Sequence, residues 1–163
     1  MRTRDILIII VTLLILLIGS QAFHIIRYNS LQNRIDSEFS ELAYDFSSAL
    51  DSIQPITANI AISPDALAIA HTLGELIDYI DAKTALSTAE TSEIRMFIWS
   101  LYPYLNSALY AETIDQDQLA ELSAIFHDYY NDPDKKDIMS ALYRHMHSTN
   151  THSAAVNAIL RYS

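Results

Sequence analysis

Histidines near the C-terminal end are the first residues whose chemistry invites attention. The candidate metal ligands are His145, His147 and His152, with His127 or Asp128 in the preceding helix. Positions two apart on a helix point about 200° away from each other, so His145 and His147 cannot share an ion on one helix. No HExxH-type spacing occurs. We therefore predict no metal site and no cofactor, and we interpret these residues as an exposed helix end.

Paired carboxylates are abundant, but none has a catalytic arrangement. The pairs are Asp78 with Asp81, Glu90 with Glu93, and Asp115 with Asp117. A di-iron bundle needs Glu-x-x-His on two helices, and a calcium loop needs a glycine and a terminal glutamate that are missing after Asp115. No serine has a Gly-x-Ser-x-Gly setting, and the chain has no cysteine. The sequence predicts no catalytic residue and a non-enzymatic protein.

Aromatic residues gather in the middle of the chain around Pro103. Tyrosine and tryptophan are frequent at recognition surfaces because they bury a large area and keep a polar end. The alternative is that these rings fill the edge of a core. The candidate interaction surface predicted here consists of Phe97, Trp99, Tyr102, Tyr104 and Tyr110.

Charge argues against one class of partner. The whole chain has a net charge of −10, and from Tyr28 onward 7 basic and 19 acidic residues give 7 − 19 = −12. Proteins bind nucleic acid by neutralising phosphates with lysine and arginine. We therefore predict no nucleic-acid partner.

An apolar segment from Ile6 to Ile26 predicts a membrane-spanning helix. As a helix, its 21 residues would be about 31 Å long, which matches a hydrocarbon core of about 30 Å. We expect a signal anchor with residues 1–5 as a short basic cytoplasmic tail and residues 27–163 as an acidic extracytoplasmic domain. Arg2 and Arg4 favour that orientation. The alternative is a secretory signal cleaved after Ala22, where Ser20-Gln21-Ala22 fits a cleavage site.

The remainder of the chain predicts helices. Only two glycines and four prolines are present, too few for the turns of a sheet-rich fold. Apolar residues recur every three or four positions over 31–53, which predicts an amphipathic helix that packs in a bundle or, alternatively, forms a homo-oligomer through a coiled-coil seam. Further helices are predicted by their N-terminal signals and patterns: Ser63-Pro64, Ser87 with Glu90, Asp115, Asp132-Pro133, and a short helix around Ala155 to Leu160. Pro103 is expected to kink the helix that begins at Ser87 without ending it.

Together these features predict an all-α protein: one N-terminal transmembrane helix followed by a small antiparallel bundle of four to six helices. In general plan this resembles the extracytoplasmic helical modules of bacterial sensors and of small accessory membrane proteins. We expect an interaction or assembly module at the outer face of the membrane, with a protein partner. The alternatives are a sensory or ligand-binding domain that works through a partner, and a secreted helical protein.

Overall fold

The computed structural model describes residues 3–52, 64–80, 86–111, 115–148 and 154–162, with the backbone alone for 3–9 and 108–111. These residues are all-helical, without strands, as the sequence predicted. Within these ranges the chain forms six α-helices: α1 (Thr3–Asp51), α2 (Pro64–Leu76), α3 (Thr88–Ala111), α4 (Gln116–Asn131), α5 (Ile138–Met146) and α6 (Ala154–Leu160). A 3₁₀ turn over Ile77–Tyr79 follows α2.

Local capping explains where α3 and α4 begin. The Ser87 hydroxyl and backbone N–H both donate to Glu90 Oε2, at 2.6 and 2.7 Å, and the Glu90 N–H donates back to Ser87 Oγ. This is the predicted capping box. At α4, Asp115 Oδ1 accepts from the N–H groups of Asp117 and Gln118. These bonds satisfy N–H groups that have no partner within the helix, so both predicted starts are confirmed.

The predicted start of α5 is wrong. The sequence suggested Asp132 as its N-cap and Pro133 as its first residue. In the structure Asp132 is the C-cap of α4, turns follow it, and α5 begins at Ile138, where Asp137 Oδ1 accepts from the Ser140 N–H at 3.1 Å. The Asp132 carboxylate does accept a local N–H, from Asp134 at 2.7 Å. That bond stabilises a turn after α4. The other carboxylate oxygen, Oδ2, is bound by Arg144 and His145 of α5.

Two compact units share the length of the chain: Met1–Arg34 and Ile35–Ser163. In the first unit, every described side chain from Ile10 to Arg34 except Gln32 is exposed. In the second unit, α1 has one buried face formed by Phe39, Ala43, Phe46 and Leu50. The predicted amphipathic pattern therefore marks a core-facing helix from Ile35 onward. The described part of α1 ends before the predicted Ile53.

The core of the second unit draws on all six helices. Phe46 of α1 and Phe97 of α3 both pack against the Phe126 ring, with centroids 4.9 and 6.3 Å away. The other fully buried large side chains are Phe39, Leu73, Ile77, Ile94, Ile98, Leu101, Leu105, Leu122 and Tyr129, joined by Leu142 and Met146 of α5 and Val156 and Ile159 of α6. Most of these positions are the ones that the helical periodicity predicts to be inward-facing.

Polar groups fix the contact between α1 and α4. Tyr129 Oη lies 2.9 Å from Ser40 Oγ, and Ser123 Oγ donates to Asp51 Oδ1 at 2.6 Å while lying 3.0 Å from Ser47 Oγ. Burial raises the pKa of Tyr129 to about 12. The hydroxyls of Ser47, Ser123 and Tyr129 belong to buried residues. These bonds select one register of the two helices, because a shifted register would leave those hydroxyls buried without partners.

Candidate interaction surface

The aromatic residues of α3 divide between the core and the surface. Phe97 is fully buried and stacks on Phe126, and Tyr104 is buried with its hydroxyl donating to Gln118 Oε1 at 2.8 Å. These two residues therefore cannot contact a partner directly, which corrects their inclusion in the predicted surface. Tyr110 lies outside the described side chains. Trp99 and Tyr102 are exposed.

Trp99 is held in place on the surface by α2. Its Nε1–H donates to the Gly74 carbonyl at 3.0 Å, in the last turn of α2, where helical carbonyls run out of partners within the helix. Its Cδ1 lies 3.7 Å from where a Cβ on Gly74 would stand, so the indole lies directly against the glycine. The side chain remains 49% exposed. Trp99 is thus an ordered aromatic side chain with half of its surface still open to water.

Other large side chains extend this exposed area. Tyr102 packs edge-on against His71 of α2 with ring centroids 5.6 Å apart, and Met96, one turn before Trp99, is 40% exposed. Tyr162, which follows α6, is held by Ser107, whose hydroxyl donates to Tyr162 Oη at 3.2 Å, and by the edge of Tyr104. We call Met96, Trp99, Tyr102 and Tyr162 the Trp99 face.

A groove lies within the Trp99 face. It has a volume of about 510 Å³ and is lined by Met96, Trp99, Ser100 and Tyr162. Its walls are mostly apolar, and Ser100 and the edges of the aromatic side chains supply polar atoms. Sequence reasoning missed Met96 and Tyr162. The spacing of Met96 from Trp99 was a usable signal, but Tyr162 joins the groove only through the packing of α6 on α3.

Buried Tyr104 packs against Tyr162, which lines the groove, and its hydroxyl is hydrogen-bonded to Gln118. Burial raises the pKa of Tyr104, and the nearby Asp115 carboxylate and Tyr162 add to that effect. The phenol therefore stays protonated at neutral pH and donates to Gln118. Its role is to position Tyr162 and the start of α4.

The histidines of α5 are paired with acids instead of lying on an exposed, frayed helix end. Asp132 Oδ2 lies 2.8 Å from His145 Nε2 and 2.8 Å from Arg144 Nη2. The pKa of Asp132 is lowered, first by the hydrogen bond from the Asp134 N–H and then by His145 and Arg144. This cluster ties the end of α4 to the end of α5.

A second acid–histidine pair joins α5 to α3. His147 Nε2 lies 3.4 Å from Glu93 Oε1, and the His147 ring packs on Tyr143 with centroids 4.4 Å apart. The hydrogen bonds from Ser87 lower the pKa of Glu90, with smaller contributions from Tyr143 and His147. Burial and the charges of Glu90 and Glu93 raise the pKa of Tyr143. His145 and His147 thus face different partners, as their spacing predicted.

No arrangement suited to a metal occurs among the described side chains. They contain no group of three or more histidines and carboxylates close enough to hold an ion. His152 lies outside the described residues. Several members of the acidic pairs have structural roles: Glu90 and Asp115 cap helices, Glu93 lies beside His147, and Asp78 pairs with Arg95 at 3.2 Å.

The exposed residues of α1 form the other large apolar surface. By length and composition alone, α1 is long and apolar enough to cross a membrane, and it is the one such helix in the described ranges. Leu31 is 58% exposed, whereas Phe39, Phe46 and Leu50, which belong to the same periodic pattern, are buried in the chain's own core. A second copy could therefore not use the whole predicted seam of residues 31–53.

Comparison with known proteins gives no relatives. No protein-family model matches this chain, and neither a curated protein nor a solved structure matches it.

Proposed function

We propose that this protein is a non-enzymatic interaction module, anchored in a membrane by Ile6–Ile26, which binds a protein partner through the Trp99 face. The observation that carries the proposal is the state of Trp99: an ordered indole, bonded to Gly74, that leaves half of its surface exposed beside Met96 and Tyr162. Binding hot spots are enriched in tryptophan and tyrosine, and side chains that are already ordered lose less entropy on binding.

The membrane anchor is supported by the exposure of the first part of α1. Eight consecutive residues, Leu13 to Ser20, are all exposed, and six of them are large aliphatic side chains. A contiguous apolar surface of this kind is unfavourable in water and is expected where lipid covers it. We further propose that the amino terminus is cytoplasmic and that the domain lies on the outer side. Arg2, Arg4 and the amino terminus precede the span and Arg27 and Arg34 follow it, and the signal-like basic region before the span favours this orientation.

The antiparallel bundle remains part of this proposal. The order of contacts supports opposite directions for α1 and α4, where Ser40 meets Tyr129 and Ser47 meets Ser123. It supports the same for α2 and α3, where Gly74 meets Trp99 and Asp78 meets Arg95. The pair α3 and α5 is different. In a simple up-and-down bundle these two helices would point in the same direction, but His147 at the C-terminal end of α5 lies beside Glu93 near the N-terminal end of α3.

The test is site-specific photo-crosslinking of the full-length protein in its native membrane. A photoreactive phenylalanine analogue at Met96 is expected to give a discrete adduct with one protein, and the adduct should weaken with Trp99→Ser. The matched control is the same analogue at Ala124, an exposed position of α4. Identical adducts from Met96 and Ala124, or none from Met96, would contradict the proposed surface.

A ligand-binding role is the second candidate, favoured by the size of the groove. Small-molecule sites enclose about 300–1,000 Å³, and the groove of the Trp99 face has about 510 Å³. Binding of a metabolite there should raise the unfolding temperature of the wild type but not of Tyr162→Ala.

A secreted form is tested separately, because cleavage after Ala22 would give a mature N-terminus at Phe23.

A further inference from the structure

We infer that one side of α1, just beyond the proposed membrane span, binds the headgroup of an anionic phospholipid through Arg27 and Arg34. This inference rests on the proposed membrane anchor. The residues that line the site form a shallow groove of about 440 Å³ along the helix: Phe23, Ile26, Arg27, Ser30, Leu31 and Arg34.

The spacing of these residues places them on one side of the helix. Phe23, Arg27, Ser30 and Arg34 are separated by four, three and four positions, which brings side chains above one another on an α-helix. Arg27 and Arg34 are seven residues apart, so their Cα atoms are separated by two turns, about 10.5 Å. Ser30 lies between them. Two guanidinium groups and one hydroxyl group therefore lie on the same side of the helix.

Their depth suits the headgroup layer. Arg27 immediately follows the last residue of the proposed span, Ile26, and the polar layer on each side of the hydrocarbon is about 5–8 Å thick. The Arg34 Cα is eight residues beyond Ile26, about 12 Å along the helix, which is outside this layer. Its side chain reaches back toward the layer, because helical side chains lean toward the N-terminus of the helix. Phe23 and Ile26 would contact acyl chains, while the two guanidiniums reach phosphate oxygens, which arginine can bind with two parallel hydrogen bonds.

The charges of α1 select an anionic occupant. Within the described part of the chain, neither Arg27 nor Arg34 has a carboxylate within ion-pair distance, whereas Arg95 and Arg144 each pair with an aspartate. After Arg34 the remainder of α1 contains five acids and no basic residue: Asp36, Glu38, Glu41, Asp45 and Asp51. An anionic surface would thus attract the helix at Arg27 and Arg34 and repel it beyond them. The attraction is confined to this short segment.

The experiment uses the full-length protein reconstituted in vesicles of phosphatidylcholine with about 30 mol% phosphatidylglycerol. This proportion gives a surface potential of tens of millivolts. Spin-labelled phosphatidylglycerol and spin-labelled phosphatidylcholine are compared for the fraction of lipid immobilised by the protein. One basic residue near an anionic surface is expected to contribute roughly a fivefold preference, so two give roughly 25-fold at low salt. The preference should fall as salt is raised.

Three double variants separate the contribution of charge from that of the paired hydrogen bonds of arginine. Arg27→Gln with Arg34→Gln should bring phosphatidylglycerol down to the level of phosphatidylcholine, and Arg27→Lys with Arg34→Lys should retain part of the preference because charge remains but the paired hydrogen bonds do not. The matched control, Lys136→Gln with Arg161→Gln, removes two exposed cations of the domain and should change nothing. Equal immobilisation of both lipids by the wild type, or a preference that survives in the double glutamine variant, would overturn the inference.

Failure of the inference and failure of the anchor give different results. If the protein floats with vesicles of phosphatidylcholine alone and resists alkaline extraction, but shows no preference for phosphatidylglycerol, only the headgroup site is wrong. If it does not float with either kind of vesicle, the membrane anchor itself is wrong. A preference displaced by millimolar inorganic phosphate would show that the arginines bind a free anion more tightly than lipid, and this too would overturn the lipid assignment.

Discussion

Residues 10–34 and residues 35–51 belong to the same helix and are both rich in apolar side chains, yet they bury them differently. In the first segment apolar residues surround the helix from Ile10 to Ile18, and all but one of the described side chains from 10 to 34 are exposed. In the second segment they recur on one side, and Phe39, Ala43, Phe46 and Leu50 are buried. The distribution of apolar residues around the helix, and not their number, decides whether lipid or protein is the suitable environment.

The largest expected effect is the loss of membrane attachment on substitution within residues 10–34. Leu14→Arg with Leu17→Arg places two charges near the centre of the proposed span, at a cost of about 2.5–3.5 kcal/mol each. We expect most of the protein to become extractable from membranes by alkaline carbonate. The control is Ser37→Arg with Ser48→Arg, two exposed positions of the second segment, which should leave the protein in the membrane. Equal extraction of both variants would remove the distinction between the segments.

The next largest effect is a loss of folding stability on substitution within residues 35–51. Phe46→Ala removes a fully buried ring that packs on Phe126, and we expect the free energy of unfolding to fall by about 3–5 kcal/mol. Leu31→Ala, at an exposed position of the first unit, should change it by no more than about 0.5 kcal/mol. Urea unfolding of the full-length protein in detergent, followed by circular dichroism, measures both. A comparable loss for Leu31→Ala would mean that its side chain is covered.

A smaller effect concerns the polar cluster at the ends of α4 and α5. Asp132→Asn weakens the bonds to Arg144 and His145, and we expect a loss of about 1–3 kcal/mol at neutral pH. The pKa of Asp132 is lowered in the folded state from 3.8. Its contribution is therefore fully present above that pH and is lost as the pH falls through the lower folded value.

The pH dependence supplies the check on this prediction. The difference in unfolding free energy between the wild type and Asp132→Asn should shrink as the pH falls from about 5 to below about 4. Asp128→Asn, at an exposed position of α4, should be close to neutral throughout. A difference that grows on acidification would show that the sign of the shift is wrong.

The smallest effect concerns the exposed aromatic surface. Trp99→Phe removes the hydrogen bond to Gly74 but keeps an apolar ring, so we expect a loss of about 0.5–1.5 kcal/mol. Because Trp99 is the chain's only tryptophan, acrylamide quenching of the wild type reports directly on this face. Strong quenching that decreases when the partner binds would support the Trp99 face, whereas poor quenching of the free protein would place the indole in the core.

Local sequence signals predicted much of this fold. The capping box of Ser87 and Glu90 and the cap at Asp115 depend on groups at most three positions apart, so their residue types alone specify the bonds. The inward positions of α4 and α5 follow from the 3.6-residue period in the same way. The candidate surface was predicted less well. Phe97 lies two positions from Trp99 on α3, and a cluster of aromatic residues does not say which of them the neighbouring helices will cover.

The amino-acid sequence by itself determined that this protein is helical, that its first helix has an apolar segment of membrane-spanning length, and where α3 and α4 begin. The tertiary structure decided that Asp132 ends α4 and holds Arg144 and His145, and that Tyr162 joins Trp99 in one groove. The physical reason is the distance along the chain. Caps and periodicity depend on neighbours within one or two turns, whereas Asp132 meets residues twelve and thirteen positions away and Tyr162 meets residues more than fifty positions away.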